Sequence, residues 1–223
     1  RGEDHISNTP KQILIYNALG WDLPLFGHLP MILGSDGKRL SKRHGAVGTQ
    51  TFKNMGYLPE SLINYLALLG WNPGNNDEIF DINYLINNFS IQKVNKKSAV
   101  FDMTKLDWVS SQKILAKKSS ELLELINDFD SSWSSYNRNN DFLVKVIELI
   151  KDRLKTLSDA KDHSYFFKDP TGFDENALKK CWKEDTSGIL DQFLSKLKKL
   201  DEWNVKTIDD LIRQCVEELS IGG

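Results

Sequence analysis

Only two cysteines occur in the 223 residues, Cys181 and Cys215, and no Cys-x-x-Cys pair. Neither a zinc knuckle nor a redox dithiol can be built from them, so the chain is expected to hold no zinc site. Two isolated cysteines on helix-like apolar faces predict two buried thiols and a reducing, cytoplasmic setting. No apolar run reaches the roughly 18 residues that a membrane span needs. The first residues carry no apolar signal-like stretch, and no membrane partner is expected. An excess of one charge is missing too: 29 Lys and Arg stand against 31 Asp and Glu, a net charge of −2. That excludes a protein coating nucleic acid by bulk charge and confines any such contact to local basic patches. No Gly-x-x-x-x-Gly-Lys-Ser/Thr phosphate loop is present. No repeat of constant period is seen, which argues against a solenoid. The chain opens on "RGEDH" without an initiator Met and closes on "ELSIGG" directly after a helical pattern, so a piece of a longer protein is expected.

What remains is the balance of a globular protein, 40% apolar and 27% charged, long enough for one large domain or two ordinary ones. In "NTPKQILIYNALG" (8–20), Thr9 is the expected N-cap, Pro10 the first helical residue and Gly20 the stop. "LPMIL" (29–33) is a short apolar run suited to a buried strand. A second helix is expected over "LPESLINYLALLG" (58–70), a short one over 81–90 on Ile82, Leu85, Ile86 and Phe89, and another after Asp102 or Thr104. From about residue 113 glycine nearly vanishes and amphipathic helices follow one another. Phe142, Val146, Leu149, Ile150 and Leu154 form one predicted stripe. Ile189, Leu190, Phe193, Leu194, Leu197 and Leu200 form another. Thr207 with Asp210 opens the last helix. The expected architecture is mainly α: the end of an α/β layer over 1–45, a mostly helical connector over 46–112 and an all-helical bundle over 113–223.

One stretch stands apart. "GSDGKRLSKRHGAVG" (34–48) gathers Lys38, Arg39, Lys42, Arg43 and His44 within seven residues, bracketed by Gly34, Gly37, Gly45 and Gly48. A solvated charged turn would read the same way. Three features favour an anion site instead. Glycines let backbone N–H groups approach an anion closely. Arg39 and Lys42 are three residues apart, with the Ser41 hydroxyl between them. The loop follows an apolar strand, where α/β sheets bind ligands. Cations that close over a triphosphate stabilise charge building on the leaving pyrophosphate, catalysis by electrostatics rather than by proton transfer.

"RLSKR" (39–43) resembles the Lys-Met-Ser-Lys-Ser signature of class I aminoacyl-tRNA synthetases. Its flanks, "RGEDHISNTPKQ", "GYLPESLINYLALLGW" and "FDMTKLDWV", are similar to the bacterial glutamyl branch, without a break from residue 1 to about 115. The resemblance implies the end of a class I nucleotide-binding α/β domain over 1–45, a tRNA-stem contact region over 46–112 and a helical anticodon-binding domain over 113–223. It implies an ATP-dependent glutamate–tRNA ligase acting on L-glutamate and tRNA(Glu), with Mg2+ accompanying ATP. Lys42 then contacts the ATP phosphates, together with Arg39, Ser41 and Arg43. Arg39 is an arginine where many relatives carry lysine, and Arg43 stands where the general motif has serine. Ile32 falls where backbone groups hold adenine. Arg1 pairs with the substrate glutamate, for which a guanidinium fork suits a carboxylate. Glu3, Asp4 and His5 belong to the same segment without assigned roles. The His-x-Gly-His signature of the class is missing, since His5, His28, His44 and His163 supply no such pair. The half of the catalytic fold that bears it is therefore a missing partner, and the chain alone is expected to be inactive.

Six tryptophans raise the question of stacking on bases. Trp21, Trp71 and Trp108 suit core or hinge packing. Trp133 and Tyr136, in the polar stretch "SSWSSYNRNN", are candidates for touching an unpaired tRNA base, with packing against the bundle as the alternative. "QKVNKK" (92–97) and "KLKKL" (196–200) read as solvated faces, some of which could meet phosphates. A non-catalytic tRNA-binding module is the alternative reading of the whole chain. A shortened relative that modifies a queuosine-bearing tRNA lacks the helical region. A glutaminyl enzyme builds its anticodon region from β-barrels. Both fit less well.

Overall fold

The structure is a computed structural model that describes residues 1–41, 48–136 and 139–219. It is mainly helical, as expected, with a single two-stranded sheet among the described residues. The chain forms two compact units, residues 1–168 and 169–223.

The first unit opens with a 3-10 turn, Glu3–Asn8, that runs into helix α1, Thr9–Leu19. The expected cap is off by one. Asn8 holds the N-cap position, and the Thr9 hydroxyl instead donates to the His5 carbonyl at 3.2 Å and meets His28 Nε2 at 2.9 Å. Gly20 ends α1 in the left-handed region, φ +68°. Only Thr9 of α1 is buried; Leu14, Ile15 and Leu19 are exposed.

"LPMIL" becomes the half-buried strand β1, Ile32–Leu33, which pairs in parallel with β2, Ala99–Val100, in the register Ile32 to Ala99 and Leu33 to Val100. After the basic loop come α2, Thr49–Asn54, and α3, Pro59–Leu68, whose first residue is the expected proline. Helix α4, Ile82–Asn88, is capped by Asp81, which accepts from the Tyr84 N–H at 2.7 Å. The face expected for it is not buried: Leu85 is covered, whereas Ile82, Ile86 and Phe89 are exposed. Asp102 caps α5, Met103–Leu115, which packs along α3. Leu106, Val109 and Ile114 of α5 are fully buried.

Helices α6, Ser119–Phe129, and α7, Asn140–Ile150, pack on each other and enclose the largest apolar core. In α7 the buried stripe is Leu143, Val146, Ile147 and Ile150. Phe142 and Leu149, expected inside, are exposed. The helix is rotated by about one position because Ile147 and Leu143 sit opposite Leu122 and Ile126 in the same core. Short 3-10 segments, Lys151–Arg153 and Leu157–Phe166, close the unit. The second begins with a capping box in which Thr156 and Asp159 satisfy each other's backbone N–H groups.

The second unit contains α8, Glu175–Cys181, α9, Thr186–Leu197, and α10, Val205–Leu219. Helices α9 and α10 pack together and are tied by the Lys196–Glu218 ion pair. Leu211 and Cys215 of α10 are buried, and the predicted stripe of α9 is not. Asn204 rather than Thr207 caps α10, accepting from the Thr207 N–H at 2.9 Å. Of the two thiols expected inside, Cys215 is buried and Cys181 is exposed.

Candidate functional site

The site begins with how residues 1–5 are held. The Leu29 N–H donates to the Arg1 carbonyl and the Glu3 N–H to the Leu29 carbonyl, both at 2.8 Å, a parallel bridge between the N-terminal segment and the strand approaching β1. The Glu3 carboxylate accepts from the Met31 N–H at 3.1 Å. The chain then turns through 34–38. The Gly34 N–H donates to the Lys38 carbonyl at 2.8 Å, Asp36 Oδ1 accepts from the Lys38 N–H at 3.0 Å, and Gly37 takes φ +71°. Residues 39 and 40 return alongside β1, with an antiparallel bridge from Arg39 to Leu33 and the Leu40 N–H on the Ile32 carbonyl at 2.9 Å.

This hairpin brings Arg39 to Asp4 across 35 residues of sequence, N to O 3.0 Å. A Cβ at Gly2 would stand 2.6 Å from Asp4 Oδ1, so glycine there leaves the carboxylate its place. The Arg39 side chain is 68% exposed, and one carboxylate does not exhaust the five N–H donors of its guanidinium. Arg1 lies on the same surface. Its guanidinium donates to Gln12 and sits 5.3 Å from the Phe26 ring centroid. His5 Nδ1 meets the Asn8 amide at 3.4 Å. Arg1, Glu3, Asp4, His5, Ile32 and Arg39 therefore share one neighbourhood. Ser41 follows directly on the hairpin. Lys42 and Arg43 lie outside the described residues. Chemically the surface offers two exposed guanidinium groups, Arg39 on the Asp4 carboxylate and Arg1 on the Gln12 side chain, donor sets whose geometry suits anions. Gln12, Met31 and Gly2 escaped the sequence reading. Gln12 was within reach of it, four residues past the N-cap in the quoted "NTPKQ" run.

The two aromatic candidates lie elsewhere. Trp133 is 1% exposed, set edge-on to Phe167 at 5.1 Å and to Tyr136 at 6.1 Å. The expectation that it offers a face to a base is thus corrected: burying the indole in the α6–α7 core leaves no face open. Tyr136 is half-buried, stacked on Phe167 at 4.3 Å with Lys168 Nζ 5.3 Å from its centroid. Among the other tryptophans, Trp71 is in the core. Trp21 and Trp108 are exposed, the latter under the Lys105 ammonium at 4.1 Å.

The profile of the tRNA synthetases class I (E and Q) catalytic domain matches residues 1–108, and that of an anticodon binding domain matches residues 115–223. The chain belongs to the class I glutamyl- and glutaminyl-tRNA synthetase family. It is 41% identical over 225 residues to glutamate–tRNA ligase 1 of Caldanaerobacter subterraneus, covering 99% of this chain and 47% of that protein. It is 43% identical over 230 residues to the glutamate–tRNA ligase of Vesicomyosocius okutanii, covering 100% and 48%. A crystal structure of a glutamate tRNA ligase from Elizabethkingia meningosepticum, in complex with its amino acid, superposes with a TM-score of 0.83 at 30% identity, covering 100% of this chain and 48% of that one. The chain spans about half the length of the synthetases it matches. Among its described residues no helix is long and apolar enough to cross a membrane.

Proposed function

We propose that this chain is the signature-loop and helical part of a glutamate–tRNA ligase, a cytoplasmic enzyme that activates L-glutamate with ATP and transfers it to the 3′ end of tRNA(Glu). The observation that carries this reading is the meeting of the 32–40 hairpin with residues 1–5, which joins Arg39 to the segment bearing Arg1. On this reading MgATP is the substrate. The backbone at Ile32 lies against adenine, while Arg39, Ser41, Lys42 and Arg43 face the phosphates. Arg1 takes the glutamate carboxylate. Attack of the amino-acid carboxylate on the α-phosphorus expels pyrophosphate, and the charge that grows on the leaving group is opposed by Arg39 and Lys42. The glutamate is already a carboxylate at neutral pH, so the step asks for cations in position and not for a tuned acid or base.

The remaining assignments follow the same reading. Residues 1–45 end the nucleotide-binding domain, 46–112 contact the tRNA stem and 113–223 form the anticodon-side helical domain. No His-x-Gly-His pair occurs in the 223 residues, and by themselves they are expected to form no glutamyl-adenylate. The test is Lys42→Ala in the full-length enzyme. ATP–pyrophosphate exchange should fall by about 10²–10³, the cost of removing one transition-state donor, with tRNA affinity kept. Unchanged activation would refute the role given to the loop.

A further inference from the structure

Helix α2 leaves the signature loop and ends at a contact that the site does not explain. The Leu157 N–H donates to the Gly56 carbonyl at 2.9 Å, and the Ser158 hydroxyl to the Met55 carbonyl at 3.1 Å. Gly56 has φ +85°, and a Cβ there would stand 2.7 Å from the Ser158 nitrogen and 3.1 Å from that of Leu157. Only glycine permits both that conformation and that approach. The opposing turn is itself rigid. Asp159 accepts from the N–H groups of Lys155 and Thr156 at 2.8 and 2.9 Å. The next residue, Tyr57, donates its hydroxyl to Asp107, whose carboxylate lies 3.5 Å from Lys155 Nζ. Leu58 is 2% exposed in the same core as Leu157. Elsewhere the space between α2 and α6 is an open cavity of about 630 Å³ reaching Gln50, Lys53, Leu125 and Asp128.

From α2 the packing continues toward the hairpin. Phe52 is 6% exposed and shares a core with Ile32, Leu40 and Phe101, its ring 5.8 Å from those of Phe101 and Tyr57. Leu40 and Ile32 are the hydrogen-bonded pair that flanks Arg39. A contiguous path therefore runs from the 156–159 turn through Gly56 and Phe52 to the hairpin. We propose that Gly56 is a positioning residue: the joint between 55–57 and 157–158 sets where α2 stands, and α2, through Phe52, sets the hairpin that presents Arg39. Its effect on catalysis rests on the ligase reading above, whereas its effect on the hairpin does not.

A path through packed residues becomes a coupling only when perturbing one end moves the other. Gly56→Ala and Ser158→Ala perturb the joint. Leu143→Ala, in the same α6–α7 core as Leu58 and Leu157 but not among the hydrogen-bonded residues of the joint, serves as a control for lost stability. In the 223-residue chain, amide hydrogen exchange at Leu40 should quicken about tenfold in Gly56→Ala and about threefold in Ser158→Ala, and stay within about twofold in Leu143→Ala. In the full-length enzyme the KM for ATP should rise by similar factors with kcat within about twofold, the split expected when binding geometry is loosened. Should Gly56→Ala not fold, Ser158→Ala decides. Unchanged Leu40 exchange in the joint variants, or an equal change in Leu143→Ala, would overturn the proposal. A full-length wild type without pyrophosphate exchange would sink the ligase reading alone, and the exchange at Leu40 would still decide the joint.

Discussion

Replacing Trp133 with alanine removes an indole that is 1% exposed and wedged against Phe167 and Tyr136. An aromatic side chain of this kind takes roughly 150–250 Å² out of water, about 4–6 kcal/mol at about 25 cal/mol per Å². Alanine keeps part of that area and the walls relax in part, so the net loss should be about 3–5 kcal/mol. By comparison, stacking one base on an exposed aromatic contributes about 1–3 kcal/mol, and to affinity rather than to stability. The two roles therefore separate in measurement. Urea unfolding of the 223-residue chain, followed by far-UV circular dichroism, should lose about 3–5 kcal/mol in Trp133→Ala. For a unit of this size that is a fall in Tm of about 10 °C. Trp133→Phe retains most of the packing and should leave tRNA affinity at fixed salt unchanged. A Trp133→Ala protein that unfolds within about 1 kcal/mol of wild type yet binds tRNA weakly would refute the reasoning.

Two further outcomes are expected. Asn64, 1% exposed, donates to the Glu78 carbonyl at 2.8 Å and accepts from the Phe80 N–H at 2.9 Å. Asn64→Ala orphans both groups and should cost about 2–4 kcal/mol in the same urea experiment. Burial alone would raise the Glu60 pKa, but its hydrogen bond to Lys117 and the charges of Lys117 and Lys113 outweigh that and hold the carboxyl below its usual range. With the folded pKa depressed, its contribution is present above the ordinary carboxylate range and lost as pH falls through the folded value. Unfolding free energies measured between neutral pH and pH 3 should therefore decline less steeply in Glu60→Gln. Since Glu60 is 41% exposed, the difference at neutral pH should stay under about 1 kcal/mol.

Local signals carried well where the interaction they report is local. Pro59 opens α3, Asp102 caps α5 and Gly20 stops α1, because each acts on backbone groups within a few residues. Where caps missed, Asn204 displaced Thr207 through a side chain that accepts from the helix's first turn, whereas Asn8 precedes the helix with no side-chain cap and the Thr9 hydroxyl is engaged on the His5 carbonyl. The capping box at Thr156 and Asp159 was legible in "TLSD" and went unread. Helix faces were less readable. The α7 pattern admitted two stripes one position apart, and only the facing Leu122 and Ile126 selected between them. Polarity misled at Trp133: a serine-rich stretch reads as a solvated loop, but the 3-10 turn Ser131–Ser135 sends the indole inward.

By itself, the sequence determined the helical character, the position of the basic hairpin-forming stretch and the order of motifs that mark the synthetase family, since these depend on residue types at short spacings. Which cation meets which carboxylate, and that Gly56 stands against the 157–158 backbone, follows from tertiary packing alone. Asp4 and Arg39 are 35 residues apart, and Gly56 and Leu157 about one hundred. Each pair is adjacent because intervening strands and helices fold back on shared cores, and no pattern of a few residues encodes which distant partner arrives.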